Sequence, residues 1–450
     1  MRRVLASFVA GLGGLLLVGV LTVGLWWSVL AWLGVGLVVG SIAGRARWVW
    51  IAWVSEAAFY PLSIWLGVTS SLGPFWLLGA LLGAALLTVG FTLGTTVGWA
   101  RDPRTTASGA WRAMGRTWRL ISVGGLVIAL LGLAGYLGYV GATGSELFIH
   151  APHSADCATP GTTFGWAFEA INYDSADDQA LAAANPDMSH CRSQGEPAGD
   201  TVVTSDGIHI DGWYIPAADG SGPTGPTVLL VAGWQSNKSG MLKYAPPFHD
   251  AFNVVLIDLR NSGRSSPTET TMGVREKLDV EAMVDWLERT KHPGWIAAMG
   301  NSMGGATVLA AAAGDQRIRA VILDSVHAHF VVTAGDIAED EYGQPSVSTG
   351  WVIAAFASWR IGADVTSVDP VRTITQLGDR PVLLLHGLAD VVDRPAESAE
   401  VNFQAALAAG VPVELHYCAG AGHAMVIDRC PLAWAQWATS FLDAAMRPAP

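Results

Sequence analysis

From Val4 to Gly44 the chain runs without one charged side chain. A bilayer's hydrocarbon core takes roughly 20 apolar helical residues to cross. Backbone polar groups in lipid have no water to bond, so a crossing segment has to be helical. The run is long enough for two membrane spans, over 4–22 and 25–44, with a tight turn near Gly24. Further apolar stretches predict spans over 48–70, 73–98 and 120–141, an all-α transmembrane bundle of about five helices. The third is the least regular, because Glu56 and Pro61 interrupt it, and its alternative is an interfacial helix. A cleaved signal peptide has an apolar core of about 7–15 residues. The longer run, with more spans behind it, argues against one. Arg2-Arg3 reads as a charge marker for the membrane start rather than as a twin-arginine export signal.

Arginine positions give the orientation. Cytoplasmic loops carry the excess of Lys and Arg. Arg2 and Arg3 place the N-terminus inside, and Arg45 and Arg47 place the loop after the second span inside. Arg101, Arg104, Arg112, Arg116 and Arg119 do the same for the loop before the last span. Two crossings must separate those loops, which requires 48–70 to cross. Five crossings put everything after Gly141 outside. Glycines at four-residue spacing, such as Gly36, Gly40 and Gly44, would let these helices approach closely. Glu56 is the one acid within a span, and intramembrane acids are functional candidates.

Composition changes sharply after this region. Residues 1–145 carry nine Arg, no Lys and two acids, whereas residues 146–450 carry 17 Lys and Arg against 36 Asp and Glu. An acidic surface of this kind excludes a nucleic-acid partner, because phosphate binding needs positive charge. Residues 146–200 read as a juxtamembrane segment with one short helix near Ala176–Ala184, and 201–450 as a catalytic domain. Cys157, Cys191, Cys418 and Cys430 all fall on the predicted outer side, where disulfides persist. Four cysteines allow three pairings. Proximity favours Cys157–Cys191 and Cys418–Cys430. Their spacings match no standard zinc pattern.

From Thr201 short apolar runs alternate with helical stretches. Thr227–Ala232, Val254–Ile257, Ile296–Met299, Ala320–Leu323 and Val382–Leu385 read as buried strands. Glu276–Glu288 and Ala306–Ala313 read as helices between them. That alternation predicts an α/β fold, a mostly parallel sheet with helices on both faces. Asp206–Pro216 reads as an antiparallel hairpin feeding it. Region 327–380, with apolar Trp351–Trp359, reads as a short cap.

Gly300-Asn-Ser302-Met-Gly304 breaks a strand into a helix. This G-x-S-x-G pattern occurs once and has the strand–turn–helix context of a nucleophile elbow, in which a tight turn lifts the hydroxyl above the sheet. Ser302 is the candidate nucleophile. A serine needs a base, and the base needs an orienting acid. Asp390 follows the strand Val382–Leu385 and is the candidate acid, with Asp393 and Asp324 as rivals. His423, in the small-residue loop Ala419–His423, is the candidate base. His386 reads as structural, His416 lies within a strand pattern, and His327 and His329 precede the required order. Backbone N–H groups of Met303 and Trp234 are the candidate oxyanion donors. Cys418 and Cys430 bracket His423, and a bridge between them would clamp its loop.

These residues resemble the α/β-hydrolase superfamily, most of all bacterial members with serine aminopeptidase-like or dienelactone-hydrolase-like domains, several of them membrane-linked. The resemblance rests on Asp206–Tyr214, Ala232–Asn237, Asp258–Ser265, Gly300–Gly304, His386–Asp390 and Gly422-His423, and covers the chain from about Thr201 to its end. It implies a Ser–His–Asp serine hydrolase with an acyl-enzyme and no cofactor or metal. Ala232-Gly233 stands where the family usually has His-Gly. Asp258 and Arg260 resemble structural loop residues of the family. A membrane-tethered enzyme of this kind is expected to cleave an ester with a small-molecule or lipid acyl group. A peptidase or amidase of the same fold, a non-catalytic membrane scaffold on that fold, and a transport or sensing module with an accessory hydrolase are the alternatives.

Overall fold

The computed structural model describes residues 116–151, 158–171, 200–342 and 346–447. The expected spans over 4–22, 25–44, 48–70 and 73–98 lie outside the described residues. So do the expected helix near Ala176–Ala184 and the cysteines Cys157 and Cys191. The chain divides into two compact units, Met1–Val140 with Ala338–Pro345, and Gly141–Ile337 with Ser346–Pro450.

Helix α1, Arg116–Ile149, contains the expected fifth span and continues for two turns beyond it. Among the residues described with their side chains, no helix is long and apolar enough to cross a membrane. Strand β1 (Glu169–Ile171) follows, then β2 (Val202–Val203), β3 (His209–Ile210), β4 (Gly212–Ile215), β5 (Thr227–Val231) and β6 (Asn253–Ile257). Helix α2 (Lys277–Thr290) leads to β7 (Ile296–Asn301), α3 (Met303–Gly314) and β8 (Ile318–Asp324). Next come α4 (Phe330–Tyr342), α5 (Ser346–Ile361), β9 (Val382–Gly387), α6 (Ala399–Ala409), β10 (Val413–Cys418) and α7 (Pro431–Ala445).

Eight strands form one sheet in the order β1-β4-β6-β5-β7-β8-β9-β10. The pairs from β6 to β10 are parallel, whereas β1 and β4 join antiparallel. The expected hairpin is thus resolved into a small β2–β3 pair and a strand, β4, that enters the main sheet. β1 comes from the segment expected to be juxtamembrane. β5, β6, β7 and β9 are buried at every residue, which is what unbroken apolar runs covered on both faces produce. Helix α2 shows the complementary pattern. Val280, Met283, Val284 and Leu287 are buried, and the spacing i, i+3, i+4, i+7 turns one stripe to the sheet. One face of the core gathers Val228, Leu230, Val254, Leu256, Met299, Ile322, Leu385 and Trp434.

Parallel strands need long crossovers, so the loops after β5, β7, β8, β9 and β10 all leave the sheet at its C-terminal edge. In open α/β sheets that edge carries the site. The region read as a cap contains the two helices α4 and α5. Within the larger unit, α5 packs on the last turns of α1. A Cβ on Gly141 would overlap the Phe356 ring and one on Gly144 would overlap Ile353. Arg360 closes this contact by pairing with Glu146.

Candidate active site

β7 runs into α3 through Ser302, whose φ of 50° and ψ of −126° no ordinary helix start adopts. A non-glycine residue held there stores strain of about 1–3 kcal/mol, and such strain clusters at functional sites. The flanking glycines have steric reasons. A Cβ on Gly300 would overlap the Gly304 backbone, and one on Gly304 would overlap the Ala232 carbonyl. The turn is fixed from the neighbouring strand by the Ser302 N–H, which donates to the Asp324 carbonyl at 2.9 Å.

Ser302, His423 and Asp390 form a hydrogen-bonded row. His423 Nε2 lies 2.8 Å from Ser302 Oγ, and His423 Nδ1 lies 2.9 Å from Asp390 Oδ2. The carboxylate of Asp390 is 0% exposed and the His423 side chain 22%, so the carboxylate is dry and the imidazole is partly open to solvent. Asp390 Oδ1 accepts from the N–H groups of Val392 at 3.0 Å and Asp393 at 2.9 Å. This leaves Oδ2 for the imidazole. Burial opposes the His423 cation, but the Asp390 hydrogen bond and the Asp393 charge outweigh it and raise its pKa above the ordinary 6.5.

The two rival acids lie close by in different settings. Burial pushes Asp324 up to about 6. Its carboxylate accepts from the Trp434 indole at 3.0 Å and the Ser325 hydroxyl at 3.1 Å. Asp393 Oδ2 lies 3.7 Å from His423 Nδ1. His386 is buried, and its Nε2 donates to the Asp393 carbonyl at 2.6 Å. His327 is buried, its Nε2 unbonded among the described residues, and burial drives its pKa down to about 4. His329 pairs with Asp369 at 3.2 Å. His416 stacks on Trp437 with centroids 4.8 Å apart.

Met303 opens α3, so its N–H is one of the helix donors left without an intrahelical acceptor. The loop after β5 lies against the elbow, where a Cβ on Gly233 would stand 3.1 Å from the Ser302 Cβ. Trp234 follows it. The Trp234 indole donates to the Phe148 carbonyl at 3.3 Å, and its ring lies 5.3 Å from that of Phe148. Phe148 also meets Phe330 edge-on at 5.2 Å. The end of α1 thus supports the loop that carries Trp234 and the start of α4.

Sequence reasoning missed Ser325. It sits at φ 54° just past β8, and its Oγ accepts the N–H of Ala424, next to His423, at 3.0 Å. Its place just beyond the C-terminal end of a parallel strand was the available signal. The base loop is also closed by a disulfide between Cys418 and Cys430. Cys418 ends β10 and Cys430 precedes α7, so the bridge ties both ends of the segment that carries His423. Cys418→Ser with Cys430→Ser, or reduction of the wild type, is expected to lower kcat about tenfold, since small misplacements of reacting groups are costly. Unchanged kcat after free thiols have been titrated would overturn that role. Among the described residues no group of three His, Cys, Asp or Glu side chains is arranged to hold a metal.

The family model of the alpha/beta hydrolase fold matches residues 226–346, and the sheet order and the elbow are those of an α/β-hydrolase fold. The chain is 28% identical over 197 residues to the uncharacterized protein YfhR of Escherichia coli O157:H7, and the match covers 42% of this chain and 62% of that protein. It is 29% identical over 201 residues to the uncharacterized protein YqkD of Bacillus subtilis, covering 44% of this chain and 64% of that one. The chain therefore spans a little under two thirds of the length of these relatives. Among solved structures it is similar in fold to the esterase Pf2001 of Pyrococcus furiosus, with a TM-score of 0.50 and 19% identity over 67% of this chain and 99% of that one.

Proposed function

We propose that the protein is a membrane-anchored serine hydrolase that cleaves an ester through an acyl-enzyme. The observation that carries this reading is the row Ser302–His423–Asp390, with 2.8 and 2.9 Å links, at the C-terminal edge of the sheet. His423 takes the proton of Ser302, and Ser302 Oγ attacks the carbonyl carbon. The N–H groups of Met303 and Trp234 hold the oxygen on which charge develops. His423, cationic against Asp390, gives its proton to the departing alkoxide. Water then adds to the acyl-enzyme, with His423 again the base, and frees Ser302 and the acid. Every proton in this cycle passes through His423.

An ester is favoured over an amide because the P. furiosus neighbour in fold is an esterase. The Arg clusters at 2–3, 45–47 and 101–119, with the apolar runs between them, are the ground for a membrane anchor with the hydrolase unit outside the cell. The Cys418–Cys430 bridge suits that oxidising side. A fluorophosphonate tests the site without knowledge of the substrate. It is expected to label Ser302 alone, at a rate that rises with pH through a midpoint above 6.5, because only neutral His423 accepts the proton and its pKa is raised. Mass spectrometry of the labelled peptide, repeated across pH, checks both. Folded protein that takes up no label would favour a non-catalytic scaffold.

A further inference from the structure

We propose that Asp393 is a second carboxylate for the base, sharing His423 Nδ1 with Asp390 and held in place by Thr333 of α4. The inference rests on the serine-hydrolase reading of the site. Asp393 follows Asp390 by three residues, and the turn between them brings both carboxylates to one nitrogen, at 2.9 Å for Asp390 and 3.7 Å for Asp393. The Asp393 carboxylate is 1% exposed. Its Oδ1 accepts the Thr333 hydroxyl at 2.6 Å. Its Oδ2, the atom facing His423, is shut off from water and has no hydrogen-bond partner among the described residues.

A buried oxygen left unbonded is costly, and few occur in native folds unless they serve a purpose. Among the described residues the imidazole N–H is the donor that faces it, and a shift of less than about 1 Å would bring the two into hydrogen-bond range. Among the described residues, three elements face Asp393. Its own loop brings Asp390 and the His386 ring, which donates to the Asp393 carbonyl. The base loop brings His423. Helix α4 brings Thr333, and the buried Asp336, which pairs with Arg394 at 3.3 Å. Thr333 and Asp336 lie one turn apart on α4 and hold Asp393 and Arg394, two consecutive residues of the acid loop. The second carboxylate is thus placed by α4, whereas Asp390 is placed by its own backbone turn. While the imidazole is cationic, two acceptors in place of one restrict its rotation about the Nδ1 side and keep Nε2 on Ser302.

The test is a double-mutant cycle on the full-length protein, with p-nitrophenyl butyrate hydrolysis and fluorophosphonate labelling as readouts. Asp390→Asn and Asp393→Asn are both isosteric, and each keeps an oxygen for its present donors other than His423. Burial pushes the Asp393 carboxyl up to about 7, so Asp393→Asn alone is expected to lower kcat less than about threefold with KM unchanged, and to move the midpoint of the labelling rate to lower pH by removing the charge that Asp393 carries there in its ionised fraction. Asp390→Asn is expected to cost about a hundredfold. In that background Asp393→Asn is expected to cost a further thirtyfold or more, approaching the roughly 10⁴ that a base with no orienting acid loses. Equal factors in both backgrounds, with an unmoved midpoint, would make Asp393 a packing residue and overturn the inference. Wild-type protein that neither labels nor hydrolyses would instead overturn the reading of the site. Thermal melts of all four proteins separate these outcomes from misfolding, and Thr333→Val replaces Asp393→Asn if the latter does not fold.

Discussion

Ser302→Ala is expected to lower kcat for p-nitrophenyl butyrate on the order of a million-fold and to leave KM within about twofold, if Ser302 is the nucleophile of the proposed mechanism. Removing the nucleophile from a unit of this kind costs about as much as removing the whole unit, because its members act together. Rate above the uncatalysed level is expected to remain, since the proposed oxyanion donors, the Met303 and Trp234 N–H groups, are backbone groups that the substitution leaves in place. The fold has no reason to suffer. Ser302 makes no side-chain cap to α3, and the strain at its φ of 50° is already present with serine there. The turn is held by the Ser302 N–H on the Asp324 carbonyl, which alanine keeps. His423 Nε2 loses the Ser302 hydroxyl that donates to it, and Nδ1 retains Asp390. The variant therefore has an unchanged melting temperature and no fluorophosphonate adduct. Retention of more than about 1% of wild-type kcat would place the nucleophile elsewhere and remove the basis for the proposed mechanism.

The legible parts of this chain are those in which a local pattern reports a local demand. The elbow is one. Gly300 and Gly304 exist because a Cβ at either would collide with backbone, so the steric demand appears in the sequence as glycine. The central strands are another, since burial on both faces leaves continuous apolar runs. β1 escaped notice because a short edge pairing (Glu169–Ile171) needs no such run. Ser325 and Asp393 escaped, or stayed as one rival among several, for a different reason. Their partners, Ala424 and His423, lie far along the chain, and one serine or aspartate looks like any other until the fold brings those partners in. The end of α1 shows both cases. Its apolar run was readable, but the change at Gly141 from a predicted span to a docked helix is set by Ile353 and Phe356 of α5, far downstream in the sequence.

Lys238→Met is expected to destabilise the larger unit by about 3–5 kcal/mol, lowering its melting temperature by about 10 °C. The Lys238 ammonium is buried between two carboxylates, 2.6 Å from Asp211 Oδ1 and 2.6 Å from Asp258 Oδ2, and those groups are themselves 2% and 0% exposed. Its charge also lies over the Trp213 ring, 4.7 Å from the centroid. Methionine fills most of the volume but leaves two buried anions facing each other, with Arg264, 3.9 Å from Asp211, as a more distant cation. The loss therefore measures uncompensated charge rather than packing. A second substitution exposes the difference. Lys238→Met with Asp211→Asn removes one of the two anions and is expected to recover a substantial part of the loss, although more atoms have changed. The effect reaches the site as well. Asp258, which loses its ammonium partner in Lys238→Met, also accepts the backbone N–H of Lys238 on Oδ1 at 2.7 Å, and the loop that this bond anchors, Ala232–Asn237, carries Trp234 beside Ser302. Urea unfolding of the three proteins gives the stabilities, and kcat on p-nitrophenyl butyrate reports the loop. A loss below about 1 kcal/mol for Lys238→Met, the range of an exposed ion pair, would mean that water or Arg264 already neutralises the two acids, and the buried cation would then have no structural task.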